Sequence, residues 1–202
     1  MKKETCMKKE ITGRKKEIAH SARDLILEGG VQHVTIKNIA YKNKISEGAI
    51  YKHFKSKKEI LLEVVYDFGR ELIGAMKPLA GQSEDPMVRL KGIMKRHMEF
   101  SEEKKGMFFA ITAESVYFEE DEVRRAVLGV IEEYRDKIVK ILNEAKRLNL
   151  IKKGINTNAV SFIFFGMIQS AIVQYALTNY TVPPLSKFEP MWKIFIEGVK
   201  ER

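Results

Sequence analysis

The residues best suited to chemistry lie in residues 35–54, TIKNIAYKNKISEGAIYKHF. Lys37, Lys42, Lys44 and Lys52 bring positive charge to this stretch, and Glu47, Tyr51 and His53 bring hydrogen-bonding groups. The set suits recognition of a polyanion better than bond making. No phosphate-binding loop, nucleophile elbow or HExxH motif occurs in the chain. His20, His33, His53 and His97 are scattered without metal-ligand spacing. No catalytic residues, no metal and no cofactor are expected, and the chain is not read as an enzyme.

Two short helices must hold these groups. Thr35 can cap the first, with Ile36, Ile39 and Ala40 on one apolar face. Ser46 can cap the second, where Ala49, Ile50 and Phe54 point inward and Glu47, Tyr51, Lys52 and His53 take the other faces. Only Lys42, Asn43, Lys44 and Ile45 separate the two. That length fits a helix-turn-helix, whose second helix enters the major groove of DNA. Gly48, near the start of the second helix, lets backbone come close to DNA or to a neighbouring helix. A plain helical hairpin within a core is the competing reading, and the lysines count against it.

The stretch resembles the DNA-binding half of the tetracycline-repressor (TetR/AcrR) family of bacterial transcriptional regulators. The resemblance is carried by Ile39-Ala40, Ile45-Ser46, Gly48, Ile50-Tyr51, Phe54, Ser56-Lys57, Glu59 and Ile60-Leu61-Leu62. Upstream, Ile18, Ala22, Leu25, Gly29-Gly30 and Val34-Thr35-Ile36 extend it, so it covers residues 14–65. One departure falls in the turn, where the family usually has Ala-Gly and this chain has Asn43-Lys44. Asn tolerates left-handed backbone better than most residues, which would let the turn survive. The resemblance implies phosphate contacts from Thr35, Tyr51 and Lys57, with Lys37 and Lys55 as weaker candidates. Ser46, Glu47, Ala49 and Lys52 are placed to meet base edges, Lys being able to donate to guanine. Gly48 and His53 complete the expected DNA-binding set.

Charge distribution agrees with that partner. The net charge is +9 over 202 residues. Residues 1–58 contain 15 Lys+Arg and 6 Asp+Glu, and the remainder contains 21 of each. The whole excess therefore sits with the helix-turn-helix, the electrostatic footprint of a nucleic-acid partner. The single cysteine, Cys6, excludes an internal disulfide framework and suits a reducing cytoplasm. Residues 1–14 are basic with no apolar stretch behind them, so no signal peptide is expected. Residues 159–177 are the nearest thing to a membrane span. They carry Ser161, Gln169, Ser170 and Gln174 without basic flanks, so a buried helix is expected and no membrane partner.

Periodicity predicts an all-α chain of about nine helices with no strand or repeat. A flexible basic arm (1–12) precedes a three-helix helix-turn-helix domain (13–57) and a helical ligand-binding and dimerisation domain (58–202). Ser56 and Glu59 form a capping box that opens a long helix to about residue 77, which residues 78–83 break. Asp85-Pro86 starts the next helix, and residues 107–116 form a short apolar one. Acids at residues 119–122 open a helix to about residue 149. Further helices are expected over 156–179 and 186–200, the latter with Phe188, Met191, Trp192, Phe195 and Val199 on one stripe.

The helix over 156–179 is apolar nearly all round and must be covered on more than one side. Ala159, Gly166, Ser170, Val173 and Leu177 share one face, and the small residues there let another helix approach closely. This face is expected in a homodimer four-helix bundle together with Met191, Trp192 and Phe195. Phe164, Phe165, Ile168, Ile172 and Tyr175 share the opposite, inward face. Aromatic and Met side chains are dense in this half, and with the family resemblance they imply a pocket for an apolar ligand. Its expected wall is Met94, Met98, Phe108, Phe109, Ile111, Tyr117, Phe118, Phe165, Ile168 and Ile172. Expected polar groups are His97, Glu114 and Gln169, with Arg96 and Gln174 as further candidates to orient a ligand. Arg96 and His97 near a pocket mouth would favour an acid head group, Glu114 inside would favour a cation, and the ligand's charge stays open. These readings amount to a dimeric repressor released from double-stranded operator DNA by a small apolar effector. The alternative is an architectural or nucleoid-associated DNA binder without an effector.

Overall fold

Apolar residues recur at helical spacing throughout, and the chain folds accordingly. A computed structural model describes residues 13–76, 85–115 and 121–201, apart from the side chains of Phe108 and Glu114. The basic arm at 1–12, the break at 78–83, Tyr117, Phe118 and the acids at 119 and 120 lie outside the described residues. Among the described residues there are nine α-helices: α1 (Arg14–Gly29), α2 (Ile36–Lys42), α3 (Glu47–Tyr51), α4 (Lys57–Met76), α5 (Pro86–Glu103), α6 (Met107–Ser115), α7 (Asp121–Arg147), α8 (Thr157–Leu177) and α9 (Phe188–Val199). Short 3₁₀ turns at Val31–His33 and Pro184–Lys187 lead into α2 and α9. Ile151 and Lys200 form an isolated antiparallel bridge. The fold is all-α, as expected.

The chain divides into two compact units. One comprises Met1–Glu71 and Met107–Val130, the other Leu72–Gly106 and Ile131–Arg202. Both α4 and α7 contribute residues to each.

The first unit closes around the apolar sides of its short helices. Ile18, Ala22, Leu25 and Ile26 of α1 are buried with Val34, Ile39, Ile50 and Phe54. Burying a side chain such as Ile50 or Phe54 contributes roughly 1.5–3 kcal/mol, which a five-residue helix cannot supply from its own hydrogen bonds. Two adjacent glycines end α1 for different reasons. Gly30 has φ 81°, in the left-handed region. Gly29 lies against the His33 ring, where a Cβ would collide.

The turn between α2 and α3 corrects one expectation. Asn43 stays in right-handed geometry (φ −87°), and Lys44 takes the left-handed conformation (φ 54°). The reason is the hydrogen-bond register. Lys44 N–H donates to Tyr41 O (3.0 Å) and Ile45 N–H donates to Ala40 O (3.0 Å). This is a Schellman cap, which places its left-handed residue one position after the C-cap. Asn43 supports it differently, donating from Nδ2 to Ile39 O at 2.8 Å.

The second unit is built on α5, α8 and α9 with the later part of α7. Asp85 caps α5 by accepting from Met87 N–H (2.7 Å), and Pro86 occupies the first turn. Leu90, Ile93, Met94, Met98 and Phe100 of α5, Tyr134, Ile138 and Leu142 of α7, and Val160, Phe164, Ile168 and Ile172 of α8 are buried. Trp192 and Phe195 of α9 join this core, their rings 5.5 Å apart, with Phe195 also 5.4 Å from Phe164.

Candidate nucleic-acid interface

Three caps set the orientation of the helix-turn-helix. Thr35 Oγ1 accepts from Asn38 N–H (3.0 Å) at the head of α2. Ser46 Oγ accepts from Ala49 N–H (3.2 Å) at the head of α3. Ser56 Oγ accepts from Glu59 N–H (3.3 Å) at the head of α4. Glu59 returns a carboxylate oxygen to the N–H of Lys55 (2.9 Å), one residue before the usual partner in a capping box. Each capped helix presents free N–H groups and a partial positive charge at its start.

Ile50 and Phe54 anchor α3 from beneath, and Lys15 Nζ lies 5.2 Å from the Phe54 ring centroid. The opposite side of α3 is polar. Ser46, Glu47, Gly48, Tyr51 and Lys52 are exposed, Ala49 and His53 are half-buried, and Lys37 and Lys55 are exposed to either side. Lys57 is half-buried at the start of α4. A Cβ on Gly48 would meet only Ser46 Oγ, at 3.9 Å. No neighbouring helix therefore requires glycine there.

Not every lysine of the stretch is directed outward. Lys42 Nζ is 2.5 Å from Glu28 Oε1 and 3.8 Å from Asp24 Oδ2 of α1, and the hydrogen bond to Glu28 raises its pKa. Lys58 pairs with Glu122 at 3.0 Å. These two brace the unit, and the charge count alone could not separate them from the rest. One residue was missed: Tyr41 on α2 is 86% exposed. It stands off the Ile36–Ile39–Ala40 stripe beside Lys42 and Lys44, and that offset is the signal that could have found it.

In the second unit, Met94, His97, Met98, Ile168 and Ile172 are buried, and Phe165 and Gln169 are half-buried. Phe109 and Ile111 belong to the first unit. His97 Nδ1 lies 3.1 Å from the Tyr134 hydroxyl. Phe165 packs on both rings, with centroids 6.2 Å from His97 and 5.4 Å from Tyr134. Burial pushes the His97 imidazole down to about 3 and the Tyr134 hydroxyl up, so both are neutral at physiological pH. Arg96 is bound by both oxygens of Glu103 (2.6 and 3.2 Å). His97 is therefore neutral, and the Arg96 guanidinium is held by Glu103. Tyr134, which nothing in the sequence distinguished from ordinary core, is the partner of His97.

Along α8, Ala159, Gly166, Ser170 and Leu177 are exposed and Val173 is half-buried. Ile163, 59% exposed, completes the same line and was missed. Positions 159, 163, 166, 170, 173 and 177 alternate steps of four and three, the spacing of a helix-pairing seam. A Cβ on Gly166 would meet nothing within 4 Å. On α9, Met191 is half-buried and Ile194 is exposed, whereas Trp192 and Phe195 serve the unit's own core. By length and composition α8 could cross a membrane, and 39% of its most apolar window is buried.

A capped two-helix element with a polar outer face and surrounding lysines defines a helix-turn-helix DNA-binding protein. Residues 18–64 match bacterial regulatory proteins of the tetR family, and residues 84–200 match the tetracyclin repressor-like C-terminal domain. The chain belongs to the tetR family and is a DNA-binding transcriptional regulator. Among its relatives, the nucleoid occlusion factor SlmA of Photobacterium profundum is 23% identical over 185 residues, covering 91% of this chain and 94% of the relative. SlmA of Vibrio cholerae is 19% identical over 188 residues, covering 93% and 96%. Two solved structures share the fold. FadR of Bacillus subtilis, in complex with stearoyl-CoA, superposes with a TM-score of 0.81 at 18% identity, covering 91% of this chain and 98% of that one. The fatty acid degradation regulator FadR of Bacillus halodurans gives 0.84 at 17%, covering 96% and 100%.

Proposed function

We propose that this regulator is a cytoplasmic, dimeric repressor released from operator DNA by a small apolar effector. The outer face of α3 carries the proposal. Ser46, Glu47, Ala49 and Lys52 read bases, and Thr35, Tyr51, Lys57, Lys37 and Lys55 hold phosphates, with Tyr41 added to that set. One helix of this length discriminates little, and two half-sites multiply the discrimination. Pairing runs through the seam on α8 and Ile194 of α9. The effector is apolar and neutral where it meets His97 and Tyr134, which present hydrogen-bonding groups without charge. A fatty acyl compound is the first candidate, given the ligand named for the Bacillus subtilis relative in fold.

The test has four steps. Selection from a random duplex library should return a near-palindrome with half-sites about one helical turn apart or a multiple of it. Lys57→Ala should weaken binding to every sequence and lower the slope of log affinity against log salt by about one, while Lys52→Ala should relax preference at one base position. An acyl compound should both raise Tm and lower operator affinity. Gly166→Leu should leave a folded monomer, since the side chain enters open space within the protomer. Unchanged binding by both lysine variants would overturn the assigned surface, and a parent that is monomeric at micromolar concentration would overturn the dimer.

A second reading rests on the SlmA relatives, which align over nearly the whole chain. In that reading the protein is a nucleoid-associated DNA binder with no effector. It gains ground if no apolar compound changes both Tm and DNA affinity.

A further inference from the structure

Away from the DNA-facing surface, the first unit holds a second polar group. His20 projects from α1, and Asp67 and Glu71 lie one turn apart on α4. One donor atom from each converges, all three within 4.8 Å of one another. His20 Nε2 and Asp67 Oδ2 are 3.4 Å apart. Two metal–ligand bonds of 2.0–2.1 Å at a tetrahedral angle span about 3.4 Å, so this pair already has the separation of two ligands on one ion.

The burial pattern supports a cation. Asp67 is only 6% exposed. Its Oδ1 accepts from Arg70 (3.2 Å), which in turn donates to Glu63 (2.7 Å). Its Oδ2 faces His20, and neither that oxygen nor His20 Nε2 makes a hydrogen bond among the described residues. A buried carboxylate oxygen without a donor is costly and is relieved by a proton or a cation. The His20 side chain is 43% exposed, which gives an ion a path from solvent. Arg70 would serve as the outer partner that fixes the carboxylate. Arg23 is the competitor: its NH1 lies 2.9 Å from Glu71 Oε1 and 3.9 Å from Asp67 Oδ2.

We propose that His20, Asp67 and Glu71 bind a first-row divalent transition ion, Zn²⁺ in the first instance, which fastens α1 to α4. One imidazole nitrogen and two carboxylate oxygens suit such an ion, and water completes its coordination. The imidazole ligates in its neutral form, and Arg23 releases Glu71 as the ion enters. Because α1 also packs on α2, the ion stiffens the unit that carries the helix-turn-helix. None of this depends on the effector reading.

The experiment uses the full chain with Cys6→Ser, which removes a competing thiol. Calorimetry with Zn²⁺ should give one ion per chain, and Co²⁺ should produce a visible absorption band in the same protein. Zn²⁺ should shift the His20 ring resonances in that parent. H20Q and D67N, close in shape to the originals, should each weaken Zn²⁺ binding at least tenfold while keeping helical content. R23Q should tighten it, since the competing cation is gone. Binding that is equal in parent, H20Q and D67N would overturn the site, as would His20 resonances that do not move at millimolar Zn²⁺.

Discussion

Helices α3 and α8 present opposite solutions to the question of what a helix shows its surroundings. Helix α3 has five residues, two caps around it and an apolar underside reduced to Ile50 and the following Phe54. Its Glu47, Gly48 and Tyr51 are exposed, and Ala49 is half-buried. Helix α8 has 21 residues, buries Val160, Phe164, Ile168, Ala171, Ile172 and Tyr175, and still exposes Phe162, Ile163 and Leu177. The first surface suits an anionic partner met through charge and hydrogen bonds, the second an apolar partner of the same kind. Polar residues left outside and apolar residues left outside thus suit two different classes of partner.

The interiors differ in the same sense, and acid should expose the difference most strongly. Burial holds the His97 imidazole near 3, below its unfolded value of 6.5, so the unfolded chain takes up the proton first. His97 therefore contributes stability that is present above about pH 6.5 and is lost as pH falls toward 3. Urea unfolding of the parent and His97→Gln should show a stability difference that shrinks by about 3 kcal/mol between pH 7 and pH 4. An identical difference at both pH values would mean that His97 is hydrated in the native state.

Two phenylalanines separate the two helices at nearly the same scale. Phe54→Ala removes a buried ring and should cost about 3–5 kcal/mol. Phe162→Ala removes a ring 62% exposed, with the Arg135 guanidinium 3.2 Å from its centroid. Its cost to a dilute monomer should stay within about 1 kcal/mol. Comparable losses in both would show that Phe162 is covered within a single chain. A smaller effect is expected at the cap: Ser46→Ala should cost about 1 kcal/mol and weaken DNA binding through fraying of α3. The smallest is a gain. Lys44→Gly relieves a left-handed side chain and should add about 0.5–1 kcal/mol, read as a higher urea midpoint.

The parts of this molecule that were legible in the sequence are those set by local chemistry. Thr35, Ser46 and Ser56 cap the helices they were expected to cap, because an N-cap needs only a short polar side chain and the next turn of backbone. The left-handed residue of the turn was misassigned for a related reason. Propensity pointed to Asn43, but position in the Schellman cap decided for Lys44. Tertiary proximity was not legible. His20 and Asp67 are 47 residues apart, and only the packing of α1 on α4 brings their side chains together. The stripe on α9 was visible, yet periodicity does not say whether Trp192 and Phe195 face their own core or another molecule. His97 was singled out, while its neutrality depends on a depth of burial that no spacing encodes.

Three further helices end as α2 does, with Lys105, Asn149 and Asn179 at φ 47°, 55° and 49°. In each, the following residue donates back across the last turn: Gly106 to Ser101 O, Leu150 to Ala145 O and Tyr180 to Tyr175 O. None of these left-handed positions holds glycine, so each confines the unfolded chain more than glycine would. The seam on α8 acts at another scale. If two chains pair on one operator through this apolar line, as proposed, occupancy of a promoter would follow roughly the square of the protein's abundance while the chain is mostly monomeric. A twofold change in synthesis would then produce about a fourfold change in bound operator, a steepness set by helix packing before any effector is present.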